Sequence, residues 1–111
     1  YIDPDREFFA ARLYRQHCVE TPFGLIKDLR IIRNCSLADM ILVDNSALSF
    51  ALNVTNGIPI LPFFDDETDE ELRHLTFYLS CLAEQRAEDV RLNNEESFGL
   101  LKLTDEGLVP P

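Results

Sequence analysis

The clearest strand pattern lies at residues 40–43, Met-Ile-Leu-Val, where four apolar residues follow one another without alternation. Such a run predicts a strand that is covered on both faces, as in a parallel sheet. Residues 44–46, Asp-Asn-Ser, end the run abruptly, and residues 53–57 predict a loop. Residues 58–64 are apolar again, but their two prolines place them at a sheet edge or leave them only partly paired.

The first part of the chain has weaker patterns. Residues 11–15 predict a short strand with Leu13 facing inward. Residues 21–24 predict a turn, because they contain both Pro and Gly. Residues 27–32 predict a connector or a single helical turn.

Residues 65–85 contain the clearest helix. Thr68 and Glu71 have the spacing of a capping box. An apolar stripe at the helical period supports the same prediction: Leu72, Leu75, Leu79 and Leu82. The order strand, connector, strand, strand, helix predicts an α/β fold, with a parallel sheet and flanking helices, rather than a bundle or a sandwich.

Beyond Arg91 the chain becomes polar, with one apolar patch within residues 98–103. We therefore predict a domain at residues 1–92 and a polar C-terminal tail at residues 93–111. The tail is either a loosely docked helix or a disordered segment.

Composition limits the classes of partner. The 111 residues make one small domain or part of a larger one. With 20 Asp and Glu against 10 Lys and Arg, the net charge of −10 argues against direct nucleic-acid binding and against a polybasic membrane patch. No apolar run approaches the ~20 residues of a bilayer span. The three cysteines form no Cys-x-x-Cys pair and predict reduced thiols in a reducing compartment.

Residues 44–46 stand just past the carboxyl end of a predicted strand, where open parallel sheets carry functional residues. Asp44 beside Asn45 offers hard oxygen ligands suited to Mg²⁺, although Asp-Asn-Ser is equally a good turn or helix start. Most lysines are simply solvated. Lys27, held next to such a metal site, would neutralise the charge on a transferring phosphoryl group.

Two other sets of polar residues have simpler explanations. The six carboxylates within residues 65–71 suggest a metal cluster or an acid/base pair, but carboxylates also gather where the helix dipole is positive, and we favour that explanation. His17 and His74 have no partner at metal-ligand spacing, so we expect both to be structural or exposed.

Several segments, in order and spacing, resemble the C-terminal-domain small phosphatases, the FCP1-homology or NLI-interacting-factor-like phosphatases of the haloacid dehalogenase superfamily. They are Arg-Leu-Tyr-Arg-Gln-His-Cys at 12–18, Ile-Lys-Asp-Leu at 26–29, Ile-Leu-Val-Asp-Asn-Ser at 41–46, Asn-Gly-Ile-Pro-Ile at 56–60, and Phe-Phe-Asp-Asp at 63–66 followed by Asp-Glu-Glu-Leu at 69–72. The resemblance runs from Tyr1 to about Arg91. It implies a haloacid-dehalogenase-like, Rossmann-like parallel sheet.

The resemblance also implies roles for four residues. Lys27 matches the family's third motif and would contact the substrate phosphate. Asp44 and Asn45 match its fourth motif, in which Asn45 would ligate Mg²⁺ and Asp44 would hold the water shell of the metal. Arg15 occupies a position near the substrate peptide in relatives.

One departure from the family pattern is as informative as the match. Family members carry Asp-x-Asp-x-Thr on the first strand, where the first Asp attacks phosphorus and the second is the general acid/base. Residues 1–111 contain no such motif, so we expect the chain to be the carboxyl half of a phosphatase domain, with its upstream half as a partner. We expect this half alone to be inactive on phosphate esters, and to be marginally stable or to exchange elements with a partner, because its sheet lacks the nucleophile strand.

The resemblance leaves three hypotheses about function. In the first, the parent protein is a Mg²⁺-dependent protein serine/threonine phosphatase that forms an aspartyl-phosphate. It acts on phosphoserine in proline-rich tails, such as that of RNA polymerase II, in the nucleus or cytoplasm. The second is a non-catalytic binding module, such as the family's mitochondrial inner-membrane translocase subunit, which residues 82–91 resemble. Asn45 and Ser46 favour the phosphatase. The third is a segment without a function of its own.

Overall fold

The computed structural model describes residues 2–105, without the side chain of Asp105. It contains four strands, β1 (Val19–Thr21), β2 (Gly24–Ile26), β3 (Leu42–Asp44) and β4 (Gly57–Pro59), and three α-helices, α1 (Glu71–Glu84), α2 (Val90–Phe98) and α3 (Leu101–Asp105). The 3₁₀ segments are Arg15–His17, Leu29–Ile31, Leu37–Asp39 and Ala47–Asn56. We call Ala47–Asn56 the long 3₁₀ segment. The mixture of helices and a parallel strand pair confirms an α/β fold.

Strands β1 and β2 form an antiparallel hairpin around the predicted turn, in which the hydroxyl of Thr21 donates a hydrogen bond of 2.7 Å to the carbonyl oxygen of Gly24. The predicted strand at residues 11–15 is wrong, and Leu13 is 55% exposed rather than facing inward. The reason is local: a tight turn pairs the residues next to it, so the strand lies at Val19–Thr21.

Strands β3 and β4 form a parallel pair, with Val43 opposite Ile58, so the predicted strand at residues 40–43 does lie in a parallel sheet. The long 3₁₀ segment connects them, so the loop predicted at residues 53–57 is wrong. Two asparagine side chains in this segment bond to the backbone of other segments. Asn56, only 1% exposed, donates from Nδ2 to the carbonyl oxygens of Leu37 and Met40 at 2.6 and 2.9 Å. Oδ1 of Asn53 accepts the backbone N–H of Leu29.

Helix α1 begins at Glu71, and the predicted capping box is absent. Thr68 bonds instead to Asp66, from both its hydroxyl and its backbone N–H, while Oε1 of Glu71 accepts from the backbone N–H of Leu61. The cap-like bond comes from Asp69, whose Oδ1 accepts from the N–H of Glu71 at 2.9 Å. Of the predicted apolar stripe, Leu72 is 68% exposed, Leu75 and Leu79 are half-buried, and Leu82 is buried, so burial increases toward the C-terminal end of the helix.

Helix α2 crosses the predicted boundary between the domain and the polar tail, and α3 lies in the predicted tail. Of the two alternatives for that tail, the structure has a docked helix over residues 93–98. Asn94 is fully buried; its Nδ2 donates to the carbonyl oxygen of Thr55 at 2.9 Å, and its Oδ1 accepts from the hydroxyl of Tyr78 at 2.7 Å. Gly99 ends α2 in the left-handed region, with φ of 59°. Residues 106–111 of the predicted tail lie outside the described residues.

The core is small and lies between the hairpin and the long 3₁₀ segment. Ile26 and Ala51 form a buried cluster, with the partly buried Leu103 of α3 packed against it. Phe50 is fully buried and Ile58 is 2% exposed. Several large apolar side chains face solvent, including Phe8, Phe23, Phe63, Phe64 and Phe77. None of the helices in residues 2–105 has the length and apolar character required to cross a membrane.

Candidate functional site

A lysine and a carboxylate meet at the carboxyl end of β3. Asp44 is the last residue of this strand, and its Oδ2 lies 2.6 Å from Nζ of Lys27, which follows β2 directly. Its Oδ1 accepts the backbone N–H of Ser46 at 2.9 Å. Both carboxylate oxygens are therefore engaged. The Asp44 side chain is 10% exposed and that of Lys27 is 49% exposed, so the cation faces solvent while its anchor is largely covered.

The backbone of Lys27, like its side chain, makes a hydrogen bond to a neighbouring segment. The N–H of Lys27 donates to the carbonyl oxygen of Ser49, in the long 3₁₀ segment, at 2.7 Å. This segment starts directly after Ser46, which itself is bonded to Asp44. One continuous stretch of chain, residues 44–49, thus contacts both ends of Lys27.

The environment of Asp44 favours its ionised form. Partial burial raises the pKa of this carboxyl group, but the hydrogen bond from Lys27, the backbone hydrogen bond from Ser46 and the positive charge of Lys27 together outweigh burial. The pKa of Asp44 therefore lies below its ordinary value. An ionised Asp44 keeps Lys27 in place at neutral pH.

A cleft of about 570 Å³ opens beside Lys27. Its polar and charged lining includes Arg15, His17, Lys27 and Ser49, and much of the rest is apolar, including Leu25 and Leu42. Arg15 and Lys27 therefore line the same cleft. His17 is exposed and its Nδ1 accepts the backbone N–H of Tyr14 at 2.8 Å, which agrees with the expected structural or exposed position.

Asn45 is exposed and follows Asp44 at the end of β3. It is not among the residues that line the cleft. The structure thus brings Lys27 into contact with Asp44 and places Arg15 in the same cleft as Lys27. Asn45 is connected to this pair only as the residue that follows Asp44 in the chain.

The donor set suits part of a Mg²⁺ site. The carboxamide of Asn45 and the carboxylate of Asp44 are hard oxygen donors, and Mg²⁺ keeps several waters when proteins bind it through one or two such groups. Within residues 2–105, no three His, Cys, Asp or Glu side chains gather closely enough to hold a metal. In the acidic segment at residues 65–71, Asp66 and Asp69 instead accept backbone N–H groups just before α1.

Two residues that hold Lys27 were not predicted from the sequence. Ser49 contributes its backbone carbonyl oxygen to Lys27, and its side chain also helps to lower the pKa of Asp44. Asn53 accepts the backbone N–H of Leu29 through Oδ1 at 3.1 Å. In the sequence, Asn53 is only a polar residue in the connection that follows a predicted strand. That position does not indicate that its side chain bonds to Leu29.

These observations define the chain as an α/β domain that fixes a lysine against a carboxylate at the carboxyl end of a parallel strand. Residues 1–91 match the family model of NLI interacting factor-like phosphatases. The chain belongs to this family, as the resemblance in its motifs indicated.

Individual relatives agree with this assignment. The chain is 38% identical over 105 residues to CTD small phosphatase-like protein 2 of Dictyostelium discoideum, covering 95% of this chain and 18% of the relative. It is 36% identical over 91 residues to nuclear envelope morphology protein 1 of Schizosaccharomyces pombe, covering 82% and 18%. It is 34% identical over 90 residues to mitochondrial import inner membrane translocase subunit TIM50 of Candida glabrata, covering 81% and 18%. The chain thus spans less than a fifth of the length of each of these relatives.

Proposed function

We propose that this chain is the carboxyl-terminal part of the catalytic domain of a Mg²⁺-dependent protein serine/threonine phosphatase. The single observation that carries the proposal is the 2.6 Å contact between Nζ of Lys27 and Oδ2 of Asp44 at the end of β3. A solvent-facing ammonium group, fixed by a largely covered carboxylate, is suited to bind a phosphate group.

Each residue of the site has a role in this proposal. Lys27 binds the phosphate and offsets the negative charge that its oxygens carry during transfer. Asp44 orients Lys27, and because both of its oxygens already accept hydrogen bonds, it suits the water shell of the metal better than direct ligation. Asn45, which is exposed, would ligate the metal directly. Arg15, at the side of the cleft, would contact the substrate peptide. Bound Mg²⁺ would polarise the phosphoryl oxygens.

The attacking group must come from outside these 111 residues, which contain no Asp-x-Asp-x-Thr motif. In the proposed reaction, the first Asp of the upstream motif forms a bond to phosphorus as the bond to the serine or threonine oxygen breaks, and that oxygen takes a proton from the second Asp, the general acid/base. Water then attacks the aspartyl-phosphate and releases inorganic phosphate.

The proposed substrate class is phosphoserine in proline-rich tails, such as that of RNA polymerase II, and the proposed location is the nucleus or cytoplasm. Two relatives support this proposal through their names, CTD small phosphatase-like protein 2 and nuclear envelope morphology protein 1. The net charge of −10 argues against direct binding to nucleic acid.

The test uses the full-length protein that contains this chain, assayed on p-nitrophenyl phosphate and on a phosphoserine peptide, with and without Mg²⁺. We expect Mg²⁺-dependent turnover, and a loss of about 10²-fold or more in kcat/KM for Lys27→Ala. Lys102→Ala is the matched control, since Lys102 is an exposed lysine of α3. Absence of Mg²⁺-dependent turnover in the wild-type protein, or equal activity of the two lysine variants, would contradict the proposal.

The second candidate is a non-catalytic binding module, and the similarity to TIM50 favours it. Such a module binds a protein segment in the cleft without hydrolysing phosphate, and the corresponding location is the mitochondrial inner membrane. The assay above separates the two candidates, because a binding module gives no turnover of either substrate.

A further inference from the structure

Two hydrogen bonds join the segment that carries Lys27 to the long 3₁₀ segment. The first is the 2.7 Å bond from the N–H of Lys27 to the carbonyl oxygen of Ser49. The second lies two residues further along, where the N–H of Leu29 donates to Oδ1 of Asn53 at 3.1 Å. The backbone around residues 27–29 is therefore held at two points rather than one.

The second bond depends on a side chain, and that side chain sits at a kink. Asn53 interrupts the 3₁₀ geometry, with φ of −139° and ψ of 57°, and it is half-buried. Its partner Leu29 is only 7% exposed. If Asn53 loses its oxygen, the N–H of Leu29 loses its acceptor in a place that water reaches poorly, and the local backbone must shift to recover a partner.

A shift at Leu29 would move Lys27, because only Asp28 separates them. The ammonium group lies at the end of a flexible four-carbon stem. Its position is set by the backbone at one end and by Asp44 at the other. Misplacement of a charged group by about 1 Å can cost about 10²-fold in rate.

We propose that Asn53 is a positioning residue, which fixes the backbone next to Lys27 so that its ammonium group is in place to bind a phosphate. This inference rests on the proposed function, in which Lys27 contacts the substrate phosphate. Asn53 itself acts through Leu29 and Lys27, and it uses Oδ1 as an acceptor. Asn53→Asp therefore retains the acceptor, whereas Asn53→Leu removes it in a side chain that is branched at the same atom.

The experiment measures two quantities on the full-length protein: kcat/KM for p-nitrophenyl phosphate, and the affinity for inorganic phosphate by isothermal titration calorimetry. We expect Asn53→Leu to lower both about ten-fold, with Asn53→Asp retaining most of each. In a Lys27→Ala background, Asn53→Leu should have no further effect, because the group that it positions is gone.

Tyr78→Phe is the matched control, since it also removes one hydrogen bond at a partly buried site, the one to Asn94. Its effect on phosphate affinity should be small, and the same with or without Lys27. If Asn53→Leu does not fold, Asn53→Ser replaces it, because serine is shorter and polar.

Three results would overturn the inference: an unchanged phosphate affinity in Asn53→Leu, an equal further loss in the Lys27→Ala background, or no phosphate binding by the wild-type protein. Failure of the proposed function is a different result, namely absence of turnover. In that case phosphate affinity still decides the role of Asn53.

Discussion

Phe50 and Gly57 are in direct contact, and the contact leaves no room for a side chain on the glycine. Phe50 is fully buried in the long 3₁₀ segment, and Gly57 is the first residue of β4. A Cβ atom on residue 57 would overlap the ring of Phe50. This close approach packs the long 3₁₀ segment, which connects β3 and β4, against the first residue of β4.

We predict that Gly57→Ala lowers the free energy of unfolding by about 1–3 kcal/mol, because the added methyl group overpacks a buried site. The measurement is chemical denaturation of the full-length protein, in which unfolding is monitored by a spectroscopic signal that comes from this domain. Phe50→Leu should make room for the methyl group, so the double variant should lose less stability than the sum of the two single variants. Strict additivity would show that the contact is not the cause.

The buried amide of Asn94 provides a second prediction. Asn94→Ala removes the partners of both Thr55 and Tyr78, and should cost about 1–3 kcal/mol in the free energy of unfolding. Thermal or chemical denaturation measures this change. Asn93→Ala is the matched control, because Asn93 is the neighbouring asparagine of the same helix and is less buried. An equal loss of stability in Asn93→Ala would mean that any alanine substitution in α2 destabilises the protein, and that the hydrogen bonds of Asn94 are not the cause.

The third prediction concerns pH and follows from the lowered pKa of Asp44. Folding favours the ionised form of this carboxyl group, so its contribution to stability is present above its unfolded pKa of ~3.9 and is lost as the pH falls through the lower folded pKa. The contribution should be about 1 kcal/mol, because the partner Lys27 is half exposed and solvent screens the pair.

Comparison of the wild-type protein with Asp44→Asn tests this third prediction. The difference in the free energy of unfolding should be present at pH 7 and should decrease as the pH falls below about 4. Asp39→Asn, at an exposed position, should differ little from the wild type across the range. A difference for Asp44→Asn that grows as the pH falls would contradict the assigned sign.

The fourth prediction concerns Asp3, which holds the turn at the start of the described chain. Its two carboxylate oxygens accept the backbone N–H groups of Glu7, Phe8 and Phe9 at 2.8, 3.1 and 3.0 Å. Asp3→Asn leaves one oxygen, so at least one of these amides should exchange hydrogen faster by mass spectrometry or NMR. Asparagine also tolerates the positive φ of 57° at this position. Asp5→Asn is the control, and unchanged exchange in Asp3→Asn would count against the prediction.

The sequence predicted the parts of the fold that depend on local patterns. The apolar run at residues 40–43 indicated β3, and its lack of alternation indicated a parallel partner, because strands in parallel sheets are covered on both faces. The turn at residues 21–24 followed from its Pro and Gly. The motifs were sufficient to recognise the family. For the site, the sequence predicted a metal site at Asp44 and Asn45 with Lys27 next to it, and the resemblance added Arg15 near the substrate.

The prediction failed where side chains have partners other than those that the local pattern suggests. Thr68 and Glu71 have the spacing of a cap, but both have partners outside the helix, Asp66 and Leu61. Residues 53–57 were predicted as a loop, because the sequence does not show that Asn53 and Asn56 bond to the backbone of other segments. Spacing along the chain contains no information about such partners.

The sequence by itself therefore determined the residue types, the family and the strand that presents Asp44. Only the tertiary structure decided that Lys27, 17 residues earlier, lies against Asp44, and that Ser49 and Asn53 hold the lysine segment in place. The physical reason is that hydrophobic periodicity reports which face of an element is buried, whereas hydrogen-bond partners are set by how the elements pack in three dimensions.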